Sequence, residues 1–451
     1  MTTIDRRRLE AALAREDERF VAEHPRSREL FERARKSLLD GVPMNWMVRW
    51  AGAFPVFVRE GSGPYFTDVD GLRYLDLCLG DTGAMTGHAP GTVAEAIAAR
   101  AHRGNTFMLP TEDAVWVGEE LQRRFGLRYW QVAATATDAN RFSIRLARQI
   151  TGRGKILVHN WCYHGTVDEA LVALEGGVAG PRKGNLGAPV DPTMTTKVVE
   201  FNDVPALERA LEPRDVACVL AEPALTNIGI VLPEPGYHEA LRAATGRTGT
   251  LLVIDETHTI CAGPGGYTRA HGLRPDMLTL GKPIAGGVPA AVYGFTEEIA
   301  ERIRRHSSPE EADAGGIGGT LAGSALSLAA MRATLGSVLT REAYERTIPL
   351  ARRFAEGVES VIREHDLPWH VTRLGCRAEY WFCREPPRNG REAAAAADAD
   401  LERYMHLAAL NRGILMTPFH NMALVAPGTT EADVDRHTSV FRDSVRNLLD
   451  G

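Results

Sequence analysis

Asp255 closes the apolar run Thr250-Leu251-Leu252-Val253-Ile254, and Lys282 follows a second short apolar run, Leu278-Thr279-Leu280, after one glycine. Both runs read as buried strands, so a carboxylate stands at one strand end and an amine just past another. That pair meets the needs of pyridoxal phosphate: an amine for a Schiff base and an anion to keep the pyridinium nitrogen protonated, so that the ring can draw electrons from a carbanion. A helix-capping aspartate and a surface lysine would leave the same trace.

Other polar groups recur at the boundaries of such elements. Thr135-Ala136-Thr137-Asp138-Ala139-Asn140 precedes a helical run, Phe142-Ser143-Ile144-Arg145-Leu146-Ala147. Its free first-turn N–H groups and hydroxyls make either an anion cradle or an ordinary threonine cap. Tyr163, in Cys162-Tyr163-His164-Gly165, follows the strand pattern Lys155-Ile156-Leu157-Val158-His159. It can stack on a flat ring, or pack as a core tyrosine beside a turn. Glu222 ends the run Val216-Ala217-Cys218-Val219-Leu220-Ala221 and Asn227 lies shortly beyond it, where open α/β sheets bind ligands. Thr320, after Gly318-Gly319, precedes a further helix and offers a second phosphate cradle or a plain cap.

The elements that must position these groups alternate. Helical patterns at 91–103, 111–125 and 137–151 intersperse with strand patterns at 155–159, 197–201, 217–221, 250–254 and 277–280. Such alternation predicts a mostly parallel α/β sheet covered on both faces. Residues 1–40 read as charged helix, Asp70-Gly71 as a hairpin turn, and 175–192 and 307–319 as long loops. Ala325–Leu339 reads as one helix, and the alanine run at 393–397 continues into another through Leu401-Glu402-Arg403-Tyr404-Met405.

With 451 residues the chain exceeds one ordinary core. A net charge of −6 offers no general attraction to nucleic acid or an anionic membrane. The six cysteines form no CxxC pair, which suits reduced thiols of a cytoplasmic protein better than disulfides or a metal site. Basic residues near the start are not followed by an apolar segment, and no run approaches the roughly 18 apolar residues of a membrane span.

In this order the motifs resemble the class III (ornithine/ω-type) aminotransferase family of fold-type I PLP enzymes, nearest its glutamate-1-semialdehyde 2,1-aminomutase-like branch. The resemblance spans roughly residues 30–450. It is carried by Tyr65 to Asp76 (YFTDVDGLRYLD), Gly87-His88-Ala89-Pro90, Pro110-Thr111-Glu112, the Thr135 segment, Tyr163-His164-Gly165 and Glu222-Pro223 with Asn227-Ile228-Gly229. Asp255-Glu256, Gly281-Lys282 and Gly319-Thr320 complete it.

The resemblance implies a large domain with a mostly parallel seven-stranded sheet flanked by helices, over 66–335. It also implies a small α+β domain from both termini, residues 1–65 and 336–451. Lys282 would form the Schiff base and shuttle a proton, Asp255 would pair with the ring nitrogen, and Tyr163 would stack on the ring. Thr135, Ala136 and Thr137 would hold the phosphate. Thr320 would reach the phosphate of a partner subunit in a homodimer with shared sites. Arg49 matches an arginine that meets the substrate carboxylate, with Trp46 beside it at a partly hydrophobic entrance; Arg377 is a further arginine for a carboxylate or for Glu379 or Asp138.

Three departures stand out. Ala136 replaces a glycine of the phosphate loop. His258 stands where relatives carry Gln or Met, within reach of the ring's phenolic oxygen. Gly80-Asp81-Thr82-Gly83-Ala84 replaces a Ser-Trp-Gly-like run. The implied activity is transfer of an amino group from an amino acid or amine to a keto acid or aldehyde, both small molecules. An intramolecular 2,1-aminomutase and a C–C lyase or decarboxylase use the same residues. A non-catalytic cofactor binder would need neither Lys282 nor Asp255 intact.

Overall fold

The apolar runs ending at Asp255 and Leu280 are neighbouring parallel strands, with Asp255 in register with Thr279, three residues before Lys282. They lie within a computed structural model that describes residues 4–187, 190–306 and 316–450. In chain order the sheet comprises β1 (Tyr129–Ala133), β2 (Lys155–His159), β3 (Thr196–Val199), β4 (Val216–Ala221), β5 (Leu251–Asp255), β6 (Met277–Leu280) and β7 (Ala291–Phe295). Their order is β1-β7-β6-β5-β4-β2-β3. Only β7 runs antiparallel to its neighbours, β6 and β1. Every residue of β4, β5, β6 and β7 is buried. Helices on both faces remove the alternation a one-sided sheet would show, which is why these strands read as continuous apolar runs.

This sheet belongs to a compact unit made of Gly91–Arg341 and Pro387–Ala395. One layer of its core joins Leu157, Val219 and Ile254 of the sheet to Leu207, Leu211 and Leu241 of the helices Val204–Leu211 and Tyr237–Thr248.

The second unit takes the chain up to Pro90, Glu342–Pro386 and the stretch from Ala396 onward. Residues 66–90, which the sequence assigns to the central domain, cluster here because Arg73–Asp76 pairs with both Tyr65–Asp68 and Ile414–Leu415. The hairpin at Asp70-Gly71 forms, with Gly71 at φ +91°. A three-stranded antiparallel sheet, His370–Leu374, Arg377–Trp381 and Met422–Leu424, completes the unit. Its core gathers Leu75, Leu77, Phe354, Trp369, Tyr380, Tyr404 and Phe441.

Several expectations change. Residues 175–192 are not one loop: Val172–Glu175 and Val178–Pro181 pair as a hairpin whose turn, Gly176-Gly177, has positive φ at both positions. The alanine run breaks into two helices, Gly390–Ala395 and Ala399–Leu410, the second capped by Asp398. Of the expected loop at 307–319, residues 307–315 lie outside the described residues. All six cysteines are free thiols, five of them buried. No helix among the described residues is long and apolar enough to cross a membrane.

Candidate functional site

Asp255 ends β5 with its carboxylate almost fully buried. Its Oδ2 accepts from Asn140 Nδ2 at 2.8 Å and faces His164 Nδ1 at 2.9 Å, and its Oδ1 accepts from the Thr257 N–H at 3.0 Å. Burial pushes this carboxyl up, yet the bonds from His164, Thr257 and Asn140 outweigh it and bring its pKa down to about 2. Burial works against charge on His164, and Cys162 and Asp255 outweigh it, so His164 is raised well above the usual 6.5. An ionised carboxylate is thereby held where a buried acid would otherwise neutralise itself.

Asn140 ties three segments together. It bonds Asp255, the carbonyl of His164 and, through its oxygen, Thr279 Oγ1 at 2.6 Å on β6. It sits one turn inside the helix Ala136–Thr151, which Thr135 caps by accepting from the Asp138 N–H and donating to Asp138 Oδ2. The first N–H groups of that helix have no acceptor within it. Thr137 Oγ1 accepts from the Thr166 N–H at 3.1 Å. Gly165 lets this loop close on the helix: a Cβ there would stand 2.1 Å from Thr137 Oγ1. The methyl of Ala136 is turned toward Gly281, whose own Cβ would lie 2.9 Å from it, so the residue before the lysine accommodates the alanine that replaces a glycine.

Tyr163 hangs from the same loop. Its N–H donates to Glu222 Oε1 at 3.1 Å, while Glu222 Oε2 takes the Thr226 hydroxyl and N–H. Burial raises the Glu222 pKa against His164 and these bonds. Asn227 donates to the Trp161 carbonyl at 3.4 Å. Both residues therefore brace the 161–163 loop.

Lys282 opens the turn Lys282–Ala285 with φ +49°, a left-handed conformation that disfavours a side chain. Its Nζ lies 2.6 Å from His258 Nε2. Amine, ionised acid, helix N-terminus and the loop that carries Tyr163 thus meet beyond the carboxyl ends of β5 and β6, in the crevice open α/β sheets use for ligands. These groups fit pyridoxal phosphate: Asp255 suits a ring nitrogen, the start of the Ala136–Thr151 helix suits a phosphate, and Lys282 suits an aldehyde.

The other expected site residues stand elsewhere. Thr320 is exposed and lines a cavity of about 470 Å³ with Phe107, Met108 and Val132. Arg49 and Trp46 belong to the second unit, where both meet Phe419: the Trp46 ring edge-on at 5.8 Å and the Arg49 guanidinium 6.0 Å over it. Arg377 is fully buried and donates to the Thr82 hydroxyl. Thr82 ends four consecutive left-handed residues, Leu79, Gly80, Asp81 and Thr82. Asp76 pins this turn by accepting from the N–H groups of Cys78 and Leu79.

Asn140 and His164 lie inside the sequence motifs Thr135–Asn140 and Tyr163-His164-Gly165 with no role of their own assigned there. His164 adjoins Tyr163 and Asn140 lies three residues past Thr137; the signal for both is a polar side chain in a segment whose neighbours read as buried.

Residues 46–440 match the family described as aminotransferase class-III. A glutamate-1-semialdehyde 2,1-aminomutase of Myxococcus xanthus is 33% identical over 441 residues, covering 94% of this chain and 99% of the relative. Among solved structures, a glutamate-1-semialdehyde-aminomutase from Pseudomonas aeruginosa in complex with PMP is 50% identical with a TM-score of 0.97. The match covers 99% of this chain and 100% of that one. An omega-transaminase from Sphaerobacter thermophilus is 27% identical with a TM-score of 0.87, covering 94% and 98%.

Proposed function

The chain is a member of the class III aminotransferase family, a PLP-dependent enzyme of fold type I, and from that premise we propose that it moves an amino group between adjacent carbons of one small substrate. The reaction would be a 2,1-aminomutation of an amino aldehyde bearing a carboxylate. The observation that carries the chemistry is an amine and a buried, ionised acid on adjacent strand ends, Lys282 and Asp255. The greater identity to the aminomutase structure than to the omega-transaminase, 50% against 27%, supports the intramolecular form.

Pyridoxal phosphate, when bound, supplies the electron sink that makes a carbon beside nitrogen acidic. The chain's residues then have separable tasks. Asp255 holds an ionised oxygen for the ring nitrogen. Lys282 anchors the aldehyde and carries a proton at Nζ between the two substrate carbons. Thr135, Ala136 and Thr137 bind the phosphate, Tyr163 stacks on the ring, and Glu222 and Asn227 keep its loop in place. Arg49, with Trp46 beside it, takes the substrate carboxylate by a charge-assisted contact. The working form in this reading is a homodimer in which Thr320 reaches the partner's phosphate.

A second reading, exchange between a separate donor and acceptor, is favoured by one feature. The left-handed turn at residues 79–82 runs into Gly80–Ala84, the segment that replaces a Ser-Trp-Gly-like run of the aminomutase-like branch.

The test offers the PLP-loaded protein glutamate-1-semialdehyde with no acceptor. In parallel it offers L-alanine, L-glutamate, a β-amino acid and an aryl-alkyl amine singly, with Lys282→Ala as control. Catalytic formation of the 5-amino-4-oxo acid supports the aminomutase. One equivalent of carbonyl product from a donor, with none of that acid, replaces it by the aminotransferase. Released carbon dioxide or a cleaved aldehyde replaces both by C–C bond cleavage.

A further inference from the structure

We propose that His258 is the acid–base partner of Lys282, taking the proton the amine must lose before it attacks an aldehyde and returning it afterwards. The consequence for turnover rests on the pyridoxal-phosphate reading; the proton transfer itself does not.

Lys282 Nζ and His258 Nε2 face each other at 2.6 Å. An ammonium has only donors, and a neutral imidazole nitrogen offers one lone pair. The two facing nitrogens therefore hold one proton between them. Transfer turns the ammonium and neutral imidazole into a neutral amine and an imidazolium. The amine nitrogen then bonds to the aldehyde carbon and the aldehyde oxygen leaves as water.

The backbone sets this pair. β5 and β6 are adjacent, with Asp255 opposite Thr279. His258 lies three residues past the first and Lys282 three past the second, and His258 is 6% exposed. The carboxylates on these and neighbouring strand ends hold bonds of their own. Asp255 faces His164 and Asn140. Glu256 accepts from Thr259 Oγ1 and from the N–H groups of Tyr267 and Thr268, and Glu222 accepts from Thr226 and the Tyr163 N–H. Through the 2.6 Å contact His258 brings to the amine an imidazole nitrogen, a group able to take up a proton and give it back. A glutamine could accept the same hydrogen bond but could not carry the proton away.

The full-length chain, stripped of cofactor, is allowed to react at Lys282 with pyridoxal phosphate and, in parallel, with acetaldehyde. Adducts are trapped by excess cyanoborohydride and counted at Lys282 by mass spectrometry from pH 6 to 10. With His258 as base, the rate levels off above the imidazole range, because neutral histidine removes the proton. In His258→Gln the rate keeps climbing with pH beyond that range and, at pH 7.5, lies at least about tenfold below the parent. His258→Asn is the second variant should the glutamine fail to fold, and added imidazole speeds His258→Ala. Superimposable profiles for parent and variants overturn the proposal. A plateau with acetaldehyde but no attachment of pyridoxal phosphate leaves the proton transfer standing and removes the cofactor reading instead.

Discussion

His164 Nδ1 lies 2.9 Å from Asp255 Oδ2, and neither side chain is more than a few per cent exposed. The two titrate in opposite senses. Asp255 is lowered from 3.8 to about 2, so its contribution to stability is present above pH 3.8 and is lost as pH falls through 2. His164 is raised above 6.5, so its contribution is complete below pH 6.5 and is lost as pH rises through its folded value. Their joint stabilisation is therefore largest between pH 3.8 and 6.5. His164→Asn should lower stability by about 3–5 kcal/mol in that window, since it removes the charged partner of a buried carboxylate and leaves it only Asn140 and the Thr257 N–H. The melting difference between parent and variant should narrow on either side; a pH-independent difference would rule out a charged pair.

Asp255→Asn keeps the shape and removes the anion. Turnover should fall by roughly 10²–10³, and the bound cofactor should titrate differently across neutral pH in absorbance. Unchanged turnover would remove Asp255 from the chemistry.

Gly165→Ala tests the closeness of loop and helix. The residue sits at φ +77°, and the new methyl would overlap Thr137 Oγ1. The backbone strain alone costs about 1–3 kcal/mol. Thr137 would have to move, so pyridoxal-phosphate affinity measured by equilibrium dialysis should drop at least about tenfold. An intact affinity would place the phosphate elsewhere.

In the second unit, burial pushes the Glu402 carboxyl up to about 7, aided by Glu379 and Asp398 and opposed by His420. A raised carboxyl binds its proton more tightly when folded, so the group costs stability as pH climbs from 4.5 past 7. Glu402→Gln removes that cost. After allowance for partial exposure, the variant should be more stable by about 1–2 kcal/mol at pH 8 and equal to the parent near pH 4. Denaturant melts at the two pH values decide it.

The sequence was legible where a strand buries both faces. β2, β4, β5 and β6 announce themselves as apolar runs, and their polar terminal residues mark the crevice. β1, Tyr129-Trp130-Gln131-Val132-Ala133, carries a glutamine and is only partly buried, so it gave no such run. β7 holds Gly294, packed under Trp130, which interrupts the pattern. The hairpin at Val172–Pro181 was hidden by its own glycines. Candidate site residues are legible in proportion to their nearness to a strand end, as Lys282, Asp255 and Tyr163 are. The bonds of Asn140 to Asp255 and Thr279, and of Arg377 to Thr82, join segments far apart in the chain. No local spacing encodes such meetings.

Lys282 occupies a backbone conformation that favours glycine. For a residue with a side chain that conformation costs about 1–2 kcal/mol. In the cofactor-free protein Lys282→Gly should therefore relieve that strain while leaving no amine to react. Selection of cofactor-free variants by heat tolerance alone would drift toward losing the lysine, so any thermostabilising campaign on this chain needs a chemical read-out at that position beside the melting curve.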